Sequence, residues 1–429
     1  MRFLLSSWGS HGDLHPFLAL GRALIARGHA ATLVGHPDWG AETRGAGLRF
    51  VATAEPPREN FLTQRPEIVS MKWGGMVSIH ALVNHAIAPS FDAIMTALLA
   101  EAPQHDVLVA HHFVFPAPTV AELTGIQWAT VSLAPGVVPS SYSLPAGHFG
   151  RAGHGRLARL RQRFIWDAGR FCIGFLVDPA VNRFRRKHRL PAIRDAAFAV
   201  HSPRLNLQLY SRHFAPSPPD WTHEKRQAGF CFYDPPGETS LGPELEDFLA
   251  RGEPPVLFTL GSAAVHYPGS FYRDAVESLA ALKLRGLLLL GRQENQPTNL
   301  PDTVLAIPYA PYGLIMPRVR AVVHQCGIGT ISHTLRAGVP SVACPFAFEQ
   351  PNNSRRLEAL GVAQVVRPEN RNPDHIARAL HYLLASDAPT RARELGERIR
   401  AEDGAVHACE ILEETFAPAA AAVLPSRRG

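Results

Sequence analysis

AVVHQCGIGTISHTLRAGVP, residues 321 to 340, decides how this chain folds. Ala321-Val322-Val323 is an apolar run of the kind that forms a buried strand. Gly327, Gly329 and Thr330 follow within a few residues. Ile331, Thr334 and Leu335 then recur at helical spacing, and Gly338 with Pro340 ends the helix. A helix N-terminus offers unpaired N–H groups and a partial positive charge, and glycines let a ligand approach the backbone. The junction therefore suits an anion, most simply a phosphate or diphosphate, with His324 and Gln325 each adding a donor. It is not a P-loop, because GxxxxGK[ST] is absent. The same residues also fit a structural strand-to-helix turn with glycines for tight packing.

Working outward, the strand–helix rhythm recurs. Phe3-Leu4-Leu5, Ala31 to Val34, Asp106 to Ala110 and Trp128 to Ser132 read as strands in the first half. Phe17, Leu20 and Leu24 mark a helix between the first two, with Gly28 at its end. Val256 to Leu260 and Gly286 to Gly291 restart the pattern in the second half. Such alternation predicts parallel sheets covered by helices. At 429 residues the chain exceeds one ordinary core, so two α/β domains are expected. The Pro-rich stretches 214–222 and 234–243 place the linker. The expected division is residues 1–215, a linker over 216–250, a second domain over 251–400, and a helix and tail over 401–429 that returns to the first domain. Ligands bind off the carboxyl ends of strands in such sheets.

Composition narrows the function. Hydrophobic residues make up 46% and charged residues 19%, which suits a soluble globular chain. No apolar run in the sequence approaches the ~18 residues of a membrane helix, and the opening MRFLLSS has no secretory core. The five cysteines are scattered and form no CxxC pair, which points to reduced thiols, a cytoplasmic location and no zinc site. The net charge is +6, with basic residues concentrated between Arg151 and Arg189. No nucleic-acid module accompanies them. They form either a solvated helix face or a surface attracted to an anionic membrane, which would place the protein peripherally at the inner face. Oligomeric state is not legible.

Two further loops carry chemistry. SVACPFAFEQPNN, residues 341 to 353, places Glu349 and Gln350 after a strand, where such a pair suits recognition of several hydroxyls. A plain helix start is the alternative. Asp13 follows Gly12 on the loop after the first strand. It reads as a carboxylate facing the cleft or as a cap for a helix beginning near Pro16. His11 and His15 flank it as alternative bases or acceptor contacts.

HQCGIGTISHTLRAGVPSVACPFAFEQPNN resembles the donor-binding signature of GT-B glycosyltransferases of the UDP-glycosyltransferase-like family (GT1-type), roughly HHGGxGT, LxAGVP and PxxxDQ in order. Phe258 to Ser262, Tyr309-Ala310-Pro311 and GSHGDLHPFLALGRAL (9–24) extend the likeness over nearly the whole chain. Within the family, DPAVNRFRRKHRL (178–190), PDWTHEKRQAGFCFYD (219–234) and LFTLGSAAVHYPGSFY (257–272) look like the catalytic subunit of rhamnolipid rhamnosyltransferases. The resemblance implies two Rossmann-like domains with parallel sheets facing a central cleft. It implies an inverting, metal-independent hexosyltransferase with no cofactor beyond a UDP- or dTDP-sugar co-substrate. Asp13 would be the general base. Gly12, Gly261, Ser262, Tyr309, Ala310, His324, Gln325, Gly327, Gly329, Thr330, Glu349 and Gln350 would hold the donor.

Three departures stand out. Gln325 occupies the position of a histidine that often contacts the diphosphate. Cys326 replaces a glycine, and Glu349 replaces the usual Asp. The region where plant members carry a base-orienting Asp reads Ala110-His111-His112, without a carboxylate. A non-catalytic homologue that activates a partner transferase, or a GT-B epimerase, are the alternatives. The acceptor is expected to be small and hydrophobic or lipid-like. His11, His15, His111, His112, Phe149 and Phe164 are its expected contacts, with residues 140–175 lining an apolar pocket or forming an amphipathic structural helix.

Overall fold

Apolar runs separated by helical spacing fold into thirteen parallel strands in a computed structural model. It describes residues 1–55, 75–148, 150, 152–237 and 239–417. Strands β1 (Arg2–Ser6), β2 (Ala30–Gly35), β3 (Arg49–Ala52), β4 (Val107–His111), β5 (Gln127–Ser132), β6 (Asn206–Gln208) and β7 (Lys225–Gln227) form one sheet, ordered 3-2-1-4-5-6-7. Strands β8 (Val256–Thr259), β9 (Gly286–Leu289), β10 (Val304–Ile307), β11 (Ala321–His324), β12 (Ser341–Ala343) and β13 (Ala363–Val365) form the other, ordered 10-9-8-11-12-13. Every pairing is parallel. The two α/β domains expected from the sequence are present. Strand order reverses between β1 and β4 and again between β8 and β11, so each sheet opens a crevice at its centre.

The strands are apolar because both faces are covered. Phe3, Leu4 and Leu5 of β1 and Ala321, Val322 and Val323 of β11 have no exposed surface. Helix α1 (His11–Ala26) follows β1 and buries Leu14, Phe17, Leu18, Leu20 and Leu24. It starts five residues earlier than Pro16 suggested. Ser10 supplies the N-cap, and Pro16 lies inside the helix, where it removes the amide that would pair with the Gly12 carbonyl. The Arg-rich region is one 32-residue helix, α2 (Arg156–Lys187). Helix α3 (Ile328–Ala337) follows β11, and α4 (Gln350–Ala359) follows β12.

The stretch expected as a linker, 216–250, is shortened from both ends. β7 belongs to the first sheet, so the first domain runs past residue 215. Leu245, in the helix Pro243–Ala250, packs with Leu257 and Leu287 of the second domain. The crossing is therefore confined to the residues between Gln227 and Pro243. After α5 (Ala388–Arg400), α6 (Gly404–Phe416) packs back on the first domain. Ala408, Cys409, Ile411 and Leu412 join the core of Leu14, Phe17 and Leu20. Glu413 accepts from Arg27 Nε and Nη2 at 2.8 and 2.6 Å and pairs with His29 Nε2 at 2.8 Å. The helical stretch Ile79–Gln104 is long and apolar enough to cross a membrane by composition. Its Ile87, Phe91, Ile94, Met95 and Leu98 are instead at most 3% exposed in the first domain's core.

Helices α3 and α5 cross at Gly396. A Cβ there would lie 2.7 Å from the Cα of Gly338 and 2.9 Å from the Leu335 carbonyl oxygen, so backbone meets backbone. Alanine is favoured in a helix interior by ~1 kcal/mol, but overpacking costs ~1–3 kcal/mol. Gly396→Ala is expected to lower the unfolding free energy by ~1–2 kcal/mol in urea titrations. Gly169→Ala, in α2 with nothing within 4 Å, is expected to raise it slightly.

Candidate active site

Both crevices open toward the same place. Asp13 lies just beyond β1 and His111 ends β4, while Gly261 lies beyond β8 and Gln325 beyond β11. The first turns of α1 and α3 meet there. A Cβ on Gly329 would stand only 3.5 Å from the Gly12 Cα.

Asp13 sits at the third position of α1. Its Oδ2 accepts the Ser10 N–H at 2.7 Å and faces the Ser10 hydroxyl at 3.2 Å, while the Ser10 Oγ accepts the Gly12 N–H. Asp13 is therefore the reciprocal member of a capping box, with Ser10 as the cap. Its other oxygen, Oδ1, lies 3.7 Å from His111 Nε2. His111 is 1% exposed, and burial lowers its pKa against the opposing pull of Asp13. A carboxylate in the first turn of α1 thus stands against an imidazole on β4. His111 is enclosed behind Asp13 and offers almost no surface to the cleft. His112 packs its ring 4.2 Å from that of His111, and burial also drives its pKa well below the ordinary value.

His15 pairs with Glu42 at 2.8 Å and His11 approaches it at 3.7 Å, so both turn toward helix Gly40–Gly45. Burial works to raise the Glu42 pKa, but the His15 hydrogen bond and both imidazole charges hold it below its usual value. Phe164 is 73% exposed on the outer face of α2. Leu157 and Leu160 share that exposed face, so the expected apolar pocket over 140–175 is not formed by them. Phe149 lies outside the described residues.

On the donor side, α3 begins at Gly327 with no side-chain cap and no acidic residue in its first turn. Gly261 has φ of +62°, and a Cβ there would lie 2.4 Å from Gln325 Nε2. The Gln325 amide fills the space between Gly261 and Gly327, and its buried Oε1 has no hydrogen-bond partner among the described residues. Cys326 has φ of +69°, a conformation natural to the glycine it replaces. Two groups hold it: its N–H donates to His324 Nδ1 at 3.0 Å, and its carbonyl accepts from Asn353 Nδ2 at 3.1 Å. His324 itself has no exposed surface, and burial lowers its pKa to about 3. A neutral, enclosed ring that supports Cys326 does not fit the expected contact with a diphosphate. Thr330 is also buried, its side chain bonded to Tyr312, so only its backbone is offered. Ser262 and Tyr309 are exposed, and Ala310 is buried behind Tyr309.

The 346–350 loop closes the site. Gln350 Oε1 accepts the Phe346 and Ala347 N–H groups at 2.8 and 3.0 Å, fixing the loop. Phe348 takes φ of +56° and packs with Tyr267 beside Ala81 of the first domain. Asn352 Nδ2 donates across the cleft to the Leu144 carbonyl at 2.9 Å. Glu349 is raised to about 7, first by burial and also by the Asp13 charge on the opposite wall. The sequence reading does not assign Ser10, Glu42, Asn352 or Asn353. The available signal was Asn-Asn in a first turn, where neither favours helix. No group of three or more His, Cys, Asp or Glu placed to hold a metal occurs among the described residues.

Residues 284–412 match the family described as Erythromycin biosynthesis protein CIII-like, C-terminal domain. Over 421 residues the chain is 35% identical to O-mycaminosyltylonolide 6-deoxyallosyltransferase of Streptomyces fradiae, spanning 96% of this chain and 97% of that protein. The chain belongs to the GT-B glycosyltransferase family. A sterol 3-beta-glucosyltransferase of Arabidopsis thaliana is 23% identical over 96% of this chain and 67% of its own length. Among solved structures, the glycotransferase of kitacinnamycin superposes with a TM-score of 0.72 at 22% identity, covering 97% and 99% of the two chains. The spinosyn rhamnosyltransferase complexed with thymidine diphosphate gives 0.69 at 18% identity, covering 96% and 100%.

Glu349 makes this glycosyltransferase's stability pH-dependent. Its folded pKa of about 7 lies above the ordinary 4.5, so between those values the folded chain binds more protons than the unfolded one. Its contribution falls as pH rises through that window. Glu349→Gln is expected to stabilise the ligand-free protein by roughly 1–3 kcal/mol near pH 8. The two proteins should unfold alike near pH 4.5, as measured by denaturant titration at both pH values.

Proposed function

We propose that this glycosyltransferase moves a hexose or 6-deoxyhexose from a thymidine or uridine diphosphate sugar to a hydroxyl of a hydrophobic acceptor, with inversion. The observation that carries the reading is the Asp13 carboxylate placed across a narrow cleft from the uncapped end of α3. A deoxysugar transferase of a macrolide at 35% identity supports a 6-deoxy sugar and a polyketide-like acceptor. The thymidine diphosphate complex of a structural neighbour supports a thymidine donor. The sterol glucosyltransferases and the likeness to rhamnolipid transferases widen the acceptor class to lipid-like alcohols.

In this reading the acceptor O–H gives its proton to Asp13 Oδ1 while its oxygen bonds to the anomeric carbon from the face opposite the leaving group. The bond from that carbon to the diphosphate oxygen breaks, and the nucleoside diphosphate departs with the electron pair. The free N–H groups of Ile328, Gly329 and Thr330 face the growing negative charge, and the Gln325 amide supplies a neutral donor in place of an imidazole. Tyr309 flanks the base. Glu349 and the Gln350 amide nitrogen meet sugar hydroxyls. Helix amides do the work of charge stabilisation here, so transfer is proposed to be metal-independent.

Thermal stabilisation by dTDP and UDP, with and without EDTA, tests the donor site. The preferred nucleotide should raise the melting temperature equally in both conditions. Asp13→Asn keeps an acceptor for the Ser10 amide and so preserves the fold. It is expected to lower kcat by ~10²–10⁴-fold while leaving nucleotide stabilisation unchanged. Equal turnover by this variant would remove Asp13 as the base. Absence of nucleotide binding in the parent protein would favour a non-catalytic homologue, the reading to which Gln325 alone lends support.

A further inference from the structure

We propose that the outer face of α2 docks on an anionic lipid bilayer. Leu157, Leu160, Phe164, Phe171 and Phe175 follow one another at spacings of three, four, seven and four residues, with Ala168 in the gap. That spacing keeps them on a single stripe of the helix. All five are between 64% and 83% exposed. The opposite side of α2 carries the buried residues, Trp166, Val177, Ala180, Val181 and Phe184 among them. The helix therefore has two apolar faces, and only one is used inside the molecule. A contiguous exposed stripe of large apolar side chains marks an interaction surface.

Charge identifies the occupant. Arg156, Arg161, Arg183 and Arg186 are exposed on the same helix and have no carboxylate partner among the described residues. The exposed acid Asp167 lies 4.0 Å from Arg163, and Asp178 accepts the Asp195 and Ala196 N–H groups. An antiparallel copy of α2 would set Arg156 and Arg161 against Arg183 and Arg186. A parallel copy would set like ends together. Either arrangement opposes positive charge with positive charge, so a second copy is disfavoured. An interfacial helix with Phe and Leu in the acyl boundary and arginines reaching anionic headgroups satisfies both features.

Docking has a consequence for the cleft. On its inner side α2 holds the loop around residues 140–146, where Gln162 Nε2 donates to the Ser141 carbonyl at 2.6 Å and Trp166 Nε1 to that of Ser143 at 2.9 Å. Leu144 of this loop accepts the cross-domain bond from Asn352. A docked α2 would hold one wall of the cleft close to the lipid surface.

Flotation of the full chain with phosphatidylcholine vesicles, with or without phosphatidylglycerol, tests the proposal. Recovery with the anionic vesicles should exceed that with neutral ones by about tenfold or more and fall at high salt. A Phe164→Ser, Phe171→Ser, Phe175→Ser variant should lose this recovery while keeping its melting temperature and nucleotide response. An Arg161→Glu, Arg183→Glu, Arg186→Glu variant should lose the preference for anionic lipid. No recovery with anionic vesicles, or unchanged recovery of the Phe variant, would overturn the proposal. So would light scattering that finds a dimer which the Phe variant dissociates, since the stripe would then belong to a second copy.

Discussion

Two helices point their positive ends at each other, and the site is built around that unfavourable arrangement. The first turns of α1 and α3 meet at Gly12 and Gly329, where a Cβ on Gly329 would be in van der Waals contact with the Gly12 Cα at 3.5 Å. Aligned peptide dipoles place roughly half a positive charge at each end. α1 answers its own end with Asp13 in the first turn, but α3 has no acidic residue in its first turn and no capping side chain. The asymmetry leaves one end neutralised by the protein and the other awaiting an anion. In the proposed reading a diphosphate would supply that anion, and the carboxylate that neutralises the first helix would face the acceptor.

This arrangement leaves one aspartate able to serve structure and the proposed chemistry together. Oδ2 belongs to the capping box, which fixes the rotamer and the distance from the helix axis. Oδ1 is left facing the cleft beside His111. A general base must be held in place and yet keep one oxygen uncommitted, and a carboxylate at the third position of a helix meets both needs. A neutral imidazole that accepted the Ser10 amide at one ring nitrogen would carry its proton on the other and have no free acceptor left for the cleft. Asp13 as cap and Asp13 as base are therefore compatible, because each uses a different atom.

The fold was largely legible because parallel strands buried on both faces leave unbroken apolar runs, as in Phe3 to Leu5 and Ala321 to Val323. The glycine-rich junction was legible as an uncapped helix start because glycine spacing reports on the backbone, and the proposed anion contact is made by that backbone. Side-chain roles were less visible. His324 looked like a donor beside Gln325, yet adjacent strand residues point to opposite faces, and His324 is the one that turns inward. Cys326 looked like a defect in the signature, but it keeps the glycine's left-handed conformation through two hydrogen bonds to its backbone. The His111–Asp13 pairing joins residues 98 positions apart, and only the adjacency of β1 and β4 brings them together.

Helix α2 shows where periodicity stops being informative. Its inner and outer faces are both apolar, so the sequence carries the signal of an amphipathic helix without saying which side meets the core. Trp166 and Gln162 decide it, since both use polar atoms to hold the loop carbonyls and so must face inward. Leu157, Phe164 and Phe171 are then forced outward by helical geometry alone. A folded protein that keeps five such side chains in water forgoes the free energy of burying them, roughly 1.5–3 kcal/mol for each. That unrealised term is available only to something outside the chain, and the surrounding arginines restrict it to a negatively charged surface.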